Sequence, residues 1–526
     1  MICWRKKGTK QSKYLSTENN YYTKFAKYQI KLYFSTQLYK KFNFIFYMQQ
    51  LSGLDASFLY LETYKSPMHI GGVYIFDPPA SGEMSFNDFK KYIESRLHTS
   101  RVFRRRLVES PLNLGHPYWI EDPDFNINNH LYHIALPKPG YLRQLRDAAA
   151  LSFSRTMDRD KPLWEIIFVE GLLDKSLPKG SFAIITKAHH AAIDGMSGAE
   201  MMGALFSMSE HVEHDKPVAW HPEKIPSNLE LLSQSAWQNF GTPMQLAKAA
   251  IETVSNAIST IREVAEKSIA PPPLPFTAPM TPYNVSITSN RTFGGIEIPI
   301  AHLKEMKTAM PNSTINDIVL AICAGGLRRH LKKIDALPKK SLVAMAPISM
   351  RSEDDKKSGG NLVGAMLVSL ATLEENPVKR LNLIMESARN SKSYSKALSA
   401  NQLMDLVPSA VAALGARLYT SMKLSETHSP FYNMVITNVP GPPVPLYLNG
   451  AKLRSHFGTA PILDGLGLLM VVFSYAGTLT ISATSTPEII PDVAEFLKGL
   501  HESKDELYES LVKKNKNIST KEKIKA

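Results

Sequence analysis

Short runs of alternating apolar and polar residues recur along the chain, with amphipathic stretches between them. From Leu51 to about Ser209 the alternating runs are HIGGVYIFDP, PLWEIIFVEGL and SFAIITKAHH. The stretches with apolar residues at three- and four-residue steps are SFNDFKKYIESRLHTS and YLRQLRDAAALSFSRTM. Alternation predicts strands and the longer step predicts helices. This part of the chain therefore has an α/β or α+β pattern.

A second region with the same mixture begins at Arg291. Its strand-like runs are RTFGGIEIPI, SLVAMAPISM, GAMLVSLATL and NMVITNVPGPPVPLYLNGAKL, and its helical runs are AHLKEMKTAM, STINDIVLAICAGGLRRHLKK and the stretch after Asn376. Ser313 or Thr314 could cap the second of these helices. GLLMVVFSYAGTLTISATS predicts a buried hairpin that turns at YAGT. The two regions share this mixture of predicted strands and helices, but no sequence repeat is visible between them.

Changes in composition divide the chain into five parts. We predict a basic aromatic leader at 1–47 outside the fold, α/β halves at 48–215 and 291–510, a connector at 216–290 and a lysine-rich tail at 511–526. The connector contains a long helical stretch and ends at APPPLPFTAPMTP. Proline at that density favours stiff, extended chain.

The net charge of +13 lies at the two ends of the chain. Residues 1–47 carry ten Lys or Arg and one acid, and residues 513–526 carry six Lys and one acid. The remaining residues are nearly neutral, so nucleic-acid binding by the folded part has little electrostatic support. The leader fits three interpretations: an extension upstream of a start at Met48, a membrane-surface segment, or a transit peptide, for which arginine is too scarce.

Neither the cysteines nor the apolar runs indicate a secreted or membrane-spanning protein. Cys3 and Cys323 are the two cysteines, and their separation argues against a disulfide framework. No apolar run reaches the roughly 18 to 20 residues that a membrane span needs. The first residues lack the apolar core and cleavage site of a secretory signal. A reducing compartment is therefore expected.

The stretch TKAHHAAIDG, at 186–195, carries the candidate chemistry. His189 and His190 end an alternating run, where neighbouring side chains point to opposite faces, so at most one can work in a given cavity. Asp194 is placed to start a helix, and Gly195 allows a tight turn. Asp194 could set the tautomer of an imidazole or hold the turn by pairing with an arginine, and we favour the second.

Other chemistries fit this stretch less well. A metal site is disfavoured because the adjacent histidines diverge and no HExxH or Cys/His spacing is present. A serine-hydrolase elbow needs a final glycine, whereas GMSGA has Ala199 there. No Walker-type loop or dinucleotide fingerprint occurs. What remains is a histidine base without a protein nucleophile, so the attacking group must come from the substrate.

HHAAIDG matches the HHxxxDG signature of the coenzyme-A-dependent acyltransferase superfamily, which includes chloramphenicol acetyltransferase and peptide-synthetase condensation domains. More closely, the chain resembles the bacterial wax ester synthase/diacylglycerol acyltransferase family from about Leu51 to about Leu500. The stretches that carry this resemblance are LSGLDASFLYLET, VFRRRLV, PLWE, NDIVLAICAGGLRRHL, PISMRSEDD with GGN, and ITNVPGPPVPLYLNGAKL.

The resemblance implies a two-domain α/β fold like that of chloramphenicol acetyltransferase, with the active site at the domain interface. It implies that His190 is the general base that takes the proton from an alcohol. His189 would support it, and Asp194 and Gly195 would shape the turn.

Further positions match the family less specifically. Asn316 and Asp317 match an Asn-Asp pair that lines or buttresses the site from the second half, and Asn316 or a backbone N–H could bind the oxyanion. Pro162, Leu163 and Trp164 match a motif near the site, where plain core packing is an equal alternative. We assign no ligand to the CoA phosphates. The arginines available for them are Arg104, Arg105, Arg106, Arg328, Arg329 and Arg351.

The activity implied is direct transfer of a fatty acyl group from acyl-CoA to a diacylglycerol or a long-chain alcohol, without an acyl-enzyme, bound cofactor or metal. The expected location is cytoplasmic, peripheral at the inner membrane face or on lipid inclusions, where the basic tail could meet anionic lipid. Two alternatives stay open: an acyltransferase of the same superfamily with another acceptor, and a lipid-binding protein that has lost catalysis.

Overall fold

The computed structural model describes the strands, helices and loops that surround the two histidines. The described residues are 49–111, 115–193, 201–211, 220, 222, 224–232, 273, 276–349, 363–395 and 427–513. The leader at 1–47, Asp194, Gly195, Arg351, most of the connector and nearly all of the lysine-rich tail lie outside them. Each structural statement below concerns the described residues.

Strands and helices are interspersed in the first part of the chain. The strands are β1 (Gln49–Gln50), β2 (His69–Phe76), β3 (Arg105–Val108), β4 (Tyr118–Glu121), β5 (Leu131–Ala135), β6 (Trp164–Glu170) and β7 (Phe182–His189). The helices are α1 (Gly53–Leu61), α2 (Phe86–Arg96) and α3 (Leu142–Phe153). The strands predicted from HIGGVYIFDP, PLWEIIFVEGL and SFAIITKAHH are confirmed, as are the two helices predicted between them.

The second part repeats this mixture. Its strands are β8 (Thr292–Pro299), β9 (Val343–Ser349), β10 (Val363–Ser369), β11 (Met434–Pro440), β12 (Tyr447–Leu448), β13 (Ala451–Thr459), β14 (Leu469–Tyr475) and β15 (Thr478–Ser485). Its helices are α4 (Ile300–Ala309), α5 (Ile315–Lys333), α6 (Pro377–Ser395) and α7 (Val493–Tyr508). The predicted hairpin is β14 and β15, and it turns at Ala476 and Gly477, which both have positive φ.

One six-stranded sheet carries the histidines and has the order β12-β13-β2-β7-β6-β5. Its central strands are antiparallel, and β5 joins parallel to β6. β13 comes from the second part of the chain and pairs antiparallel with β2, with Phe457 opposite Val73 and Gly458 opposite Gly72. A strand from the second region therefore completes the sheet of the first, and chain order alone does not assign each strand to its sheet.

The other six-stranded sheet has the order β10-β9-β11-β14-β15-β8. Helix α5 lies at the centre of the surrounding core, and its residues from Asp317 to Arg328 are buried. Thr314 is its N-cap and Asp317 completes a capping box, so of the two predicted caps the structure uses Thr314. Phe293 of β8 packs edge-on against Phe153 of α3, which joins the two parts through a shared apolar cluster.

A small third sheet has the order β1-β4-β3. Among the described helices, none combines the length and hydropathy that crossing a bilayer requires.

Gly72 provides a test of the junction between β2 and β13. A Cβ there would lie 2.4 Å from the main-chain oxygen of Phe457 and 2.8 Å from Nε2 of His456. We expect Gly72→Ala to lower the free energy of unfolding by about 1–3 kcal/mol, because backbone cannot move aside as a flexible side chain can. The measurement is a chemical or thermal unfolding curve.

Gly203 is the matched control for this substitution. It lies among the helical residues 201–205, and a Cβ there would meet none of the described atoms within 4 Å. Gly203→Ala should therefore leave stability unchanged or raise it, since alanine has a higher helix propensity than glycine. Equal stability of the Gly72→Ala variant and the original chain would contradict the packing at this junction.

Candidate active site

The two adjacent histidines lie at the point where strand β7 ends. His189 is the last residue of β7, and His190 opens a single 3₁₀ turn, His190–Ala192. The main-chain N–H of His189 donates to the oxygen of Leu163 at 2.9 Å, and that of His190 donates to the oxygen of Met68 at 2.8 Å. Backbone on both sides therefore fixes where the turn begins.

His189 points into the protein, where only 1% of its side chain is exposed. Its Nδ1 accepts a hydrogen bond from the N–H of Ala191 at 3.1 Å, and its Nε2 lies 3.5 Å from Oε1 of Glu62. A nitrogen that accepts a hydrogen bond carries no proton, so the neutral ring carries its proton on Nε2. Glu62 and the Ala191 amide therefore set the tautomer of His189.

Glu62 is a buried carboxylate at the end of α1. Its Oε2 accepts hydrogen bonds from Nε and Nη2 of Arg159 at 3.0 and 2.7 Å, and its Oε1 accepts from the N–H of Met68 at 3.2 Å. Burial raises the pKa of this carboxyl group, but the hydrogen bonds and charges of His189 and Arg159 lower it by more, to about 2. Glu62 is therefore ionised at neutral pH.

The sequence analysis missed Glu62 and Arg159. Arg159 also donates to the oxygen of Leu59, so it joins the end of α1 to the loop before β6. The arginine-paired role of holding the turn was predicted for Asp194, which lies outside the described residues. The sequence signal for Glu62 was that it is the single acid in the apolar stretch SFLYLET. One sequence alone cannot distinguish such an acid from an ordinary surface residue.

His190 points the other way and is partly exposed. Its ring stacks on the ring of Phe58, with centroids 3.8 Å apart and planes inclined by 13°. Its Nδ1 is buried and has no hydrogen-bond partner among the described residues. Burial, followed by the proximity of His189, lowers the pKa of His190 to about 4. The imidazole is therefore neutral at physiological pH, which is the form that accepts a proton.

A second layer of polar groups lies behind His189. His69, its register partner on β2, donates from Nε2 to the oxygen of Arg155 at 2.6 Å. Lys187 donates to the same oxygen at 3.4 Å and pairs with Glu165 at 2.8 Å. Burial and the charge of Lys187 lower the pKa of His69 to about 3, so this ring is also neutral. The main-chain oxygen of Arg155 thus joins His69 to Lys187, while Nδ1 of His69 has no hydrogen-bond partner among the described residues.

The side chains of the Asn-Asp pair in the second part are hydrogen-bonded to neighbouring protein groups. Asp317 is buried, and its Oδ2 accepts from the N–H and Oγ1 of Thr314 at 2.8 and 2.7 Å. Asn316 accepts at Oδ1 from Nδ2 of Asn438 at 3.0 Å. Within the described residues neither side chain is hydrogen-bonded to a histidine of the turn. Asp317 thus completes the capping box of α5, and the role of the Asn-Asp pair in the site stays a prediction.

The PLW motif supports the turn through its backbone. Leu163 supplies the carbonyl that holds His189. Trp164 is fully buried, and its Nε1 donates to the oxygen of Phe103 at 2.9 Å. Trp164 is thus a core residue, while the motif as a whole fixes β6 beside the end of β7.

The candidate arginines for the CoA phosphates that lie in the described residues all contact other protein groups. These contacts are Arg104 over the Trp220 ring, Arg105 with Gln49, Arg106 with Asp122, Arg328 with Glu375, and Arg329 with Glu502 and Glu506. Their contacts explain their presence without a ligand, and Arg351 lies outside the described residues.

Arg291 was not singled out from the sequence, yet it links the second part to the turn. It precedes β8, is 8% exposed, and donates to the oxygens of Thr288, Asn290 and Lys65. Burial lowers its pKa to about 10, so the side chain stays charged at neutral pH. Lys65 lies in the loop between Glu62 and Met68. Arg291 therefore anchors the loop that supplies partners to both histidines.

Two family models match the chain. One, described as the wax ester synthase/diacylglycerol acyltransferase catalytic domain, matches residues 51–319. The other, described as the WS/DGAT C-terminal domain, matches residues 359–508. Together they span more than half of the chain.

Named relatives match over nearly the same span. A Mycobacterium tuberculosis protein named for diacylglycerol O-acyltransferase activity is 32% identical over 466 residues, which are 88% of this chain and 90% of that protein. The Acinetobacter baylyi protein named O-acyltransferase WSD is 30% identical over 479 residues, which are 90% of this chain and 100% of the relative.

Solved structures agree with the predicted two-domain α/β acyltransferase fold, which is confirmed. The wax ester synthase/diacylglycerol acyltransferase of Marinobacter aquaeolei VT8 superposes with a TM-score of 0.63 at 27% identity, covering 87% of this chain and 98% of that one. The first condensation domain of the calcium-dependent antibiotic synthetase shares the fold, with a TM-score of 0.54 at 12% identity and coverage of 88% and 96%. The chain belongs to the wax ester synthase/diacylglycerol acyltransferase family.

Proposed function

We propose that this chain transfers a fatty acyl group from acyl-CoA to the hydroxyl group of a diacylglycerol or a long-chain alcohol. The products are triacylglycerol or wax ester and free CoA. The observation that carries the proposal is the partly exposed, neutral imidazole of His190, held on a fixed turn in a member of this family. Acyl-CoA is the co-substrate, and the reaction needs no bound cofactor or metal.

His190 is the general base of the proposed reaction. Because its Nδ1 is buried, Nε2 is the nitrogen that accepts the proton of the acceptor hydroxyl as the oxygen attacks the thioester carbonyl carbon. The tetrahedral intermediate then collapses, the carbon–sulfur bond breaks, and the proton on His190 passes to the departing CoA sulfur. A well-placed base accelerates such a step by about 10²–10⁴-fold.

His189, Glu62 and Arg159 keep that base in place. The ionised Glu62 lies 3.5 Å from Nε2 of His189 and attracts the N–H group on that nitrogen, which favours one orientation of the ring. Asp194 and Gly195 would shape the turn. Asn316 is the proposed oxyanion donor: since its Oδ1 accepts from Asn438, its Nδ2 is the atom left to donate to the thioester oxygen.

The apolar substrates require access to a lipid phase. We propose that the enzyme works as a peripheral protein at the inner membrane face or on lipid inclusions. The six lysines of residues 513–526 would favour anionic lipid surfaces.

Replacement of His190 tests the base directly. Thiol release from palmitoyl-CoA is measured with hexadecanol, with a diacylglycerol and without acceptor, for the original chain and for His190→Ala. We expect the variant to lose about 10²–10⁴-fold in kcat while its thermal unfolding curve stays close to the original. Equal rates would remove the base assignment. Absence of acceptor-dependent release by the original chain would favour another acceptor or a non-catalytic lipid-binding role.

Replacement of Glu62 tests the support of His189. Glu62→Gln keeps the size of the side chain but removes its charge, so Arg159 loses its counter-ion and Nε2 of His189 loses its negatively charged neighbour. We expect kcat to fall by about 10–100-fold, as for other groups that orient a working histidine, and stability to fall by about 1–3 kcal/mol. Initial-rate assays measure the change in kcat, and urea unfolding measures the change in stability.

Glu165→Gln is the control for this prediction. It removes the buried ion pair with Lys187 but leaves the contacts of His189 intact. The control should lose stability while keeping kcat within a few-fold of the original value. A similar loss of kcat in both variants would show that general destabilisation, rather than the orientation of His189, lowers the rate.

The pH dependence of kcat/KM tests the environment of His190. Because its pKa is about 4, the rate should stay level from pH 8 down to about pH 5, one unit above that value. An acid limb centred near 6.5, the ordinary histidine value, would contradict the buried geometry.

Circular dichroism at each pH must show that the protein is still folded. The lowered pKa of Glu62 gives stability that is present above 4.5 and lost as the pH falls toward 2. The lowered pKa of His69 has the same sign: unfolded chains bind its proton below 6.5, so stability falls from there toward pH 3.

A further inference from the structure

Helix α1 contacts both histidines of the turn within a single helical turn of its own. The carbonyl oxygen of Phe58 accepts from the N–H of Glu62 at 3.1 Å, so these residues are one turn apart. Glu62 reaches His189, and Phe58 reaches His190. The two histidine side chains point in different directions, and each contacts a different side chain from this one helical turn.

The contact between Phe58 and His190 is a close parallel stack. The centroids are 3.8 Å apart and the planes differ by 13°, so the phenyl ring covers one face of the imidazole. The lone pair of a ring nitrogen lies in the plane of the ring and not on its face. Phe58 therefore leaves the edge of the imidazole free to accept a proton.

Rotation about the Cβ–Cγ bond of a histidine has broad minima, so the side chain itself hardly sets the ring plane. The buried Nδ1 of His190 makes no hydrogen bond to a described residue. Turning the imidazole out of the stack would drive its edge into the phenyl ring. Stacking on Phe58 can therefore define the plane of the His190 ring, and with it the direction of the Nε2 lone pair.

We propose that Phe58 is a positioning residue that sets the ring plane of His190 and so aims the base at the acceptor hydroxyl. This inference rests on the proposed acyl transfer. Phe58 itself takes no proton and forms no bond. The helix that carries it is fixed at both ends, by the Ser52 cap and by the contacts of Glu62.

The test separates a flat ring from mere apolar volume. Phe58→Leu and Phe58→Met keep an apolar side chain but present no flat face, whereas Phe58→Tyr keeps the ring. We expect both aliphatic variants to lose about tenfold or more in kcat, with KM for palmitoyl-CoA and for hexadecanol changed less than about twofold. Phe58→Tyr should stay within about threefold of the original kcat.

Phe86→Leu is the matched control. Phe86 stacks on the imidazole of His133, with centroids 4.8 Å apart and planes inclined by 11°, in the same part of the chain. Its replacement should leave both kcat and KM unchanged. Thermal unfolding is recorded for every variant. Of Phe58→Leu and Phe58→Met, the variant that keeps its fold is compared with the original chain in kcat and KM.

Three results would overturn the proposal. These are an aliphatic variant with the original kcat, a Phe58→Tyr variant as impaired as Phe58→Leu, and a loss that appears in KM rather than in kcat. Failure of the underlying acyl transfer looks different, because the original chain would then release no thiol with hexadecanol or with a diacylglycerol.

Discussion

The site depends on one buried negative charge, the carboxylate of Glu62. A carboxylate removed from water is costly unless cations and hydrogen-bond donors surround it. Here Arg159, His189 and the amide of Met68 supply them, and each belongs to a different segment of the chain. Through these contacts the charge holds four segments together. They are the end of α1, the start of β2, the end of β7 and the loop before β6.

This arrangement also separates the properties of two neighbouring imidazoles. His189 is enclosed and meets a carboxylate, whereas His190 meets an aromatic ring and remains partly exposed. The different surroundings follow from the point where β7 ends, because His189 is its last residue and His190 opens the 3₁₀ turn. A single dipeptide can therefore supply one rigid support and one group with access to substrate.

The sequence predicted local structure better than it predicted contacts. The period of two and the three- and four-residue steps located β2, β6, β7, α2 and α3, since these patterns reflect the burial of one face. The alternating run SFAIITKAHH predicted that the histidines lie where a strand ends, and β7 ends at His189. By contrast, the partners Glu62 and Arg159 lie about 127 and 30 residues from His189 along the chain, and neither makes a periodic pattern. The pairing of β13 with β2 was equally invisible, because any alternating strand can complete an edge.

Asp317 illustrates how a motif residue can have a local structural role that the sequence also permits. Its carboxylate is occupied by Thr314 in a capping box, a local interaction that the spacing of Thr314 and Asp317 already permits. What the sequence does not contain is the position of the helix end relative to β7. That position depends on the packing of α5 among the other helices of the second part.

Arg291 couples the spacing of the two parts of the chain to the geometry of the base. Its guanidinium group is fixed to its own part through Thr288 and Asn290, and it holds the carbonyl of Lys65 in the other. Glu62 and Met68, on either side of Lys65, hold His189 and His190. If the parts separated, the same movement would pull this loop and misalign the imidazole. One guanidinium group thus holds both the start of β8 and the loop before β2, so the place of the histidine turn is set from the far end of the sequence as well as from its own neighbours.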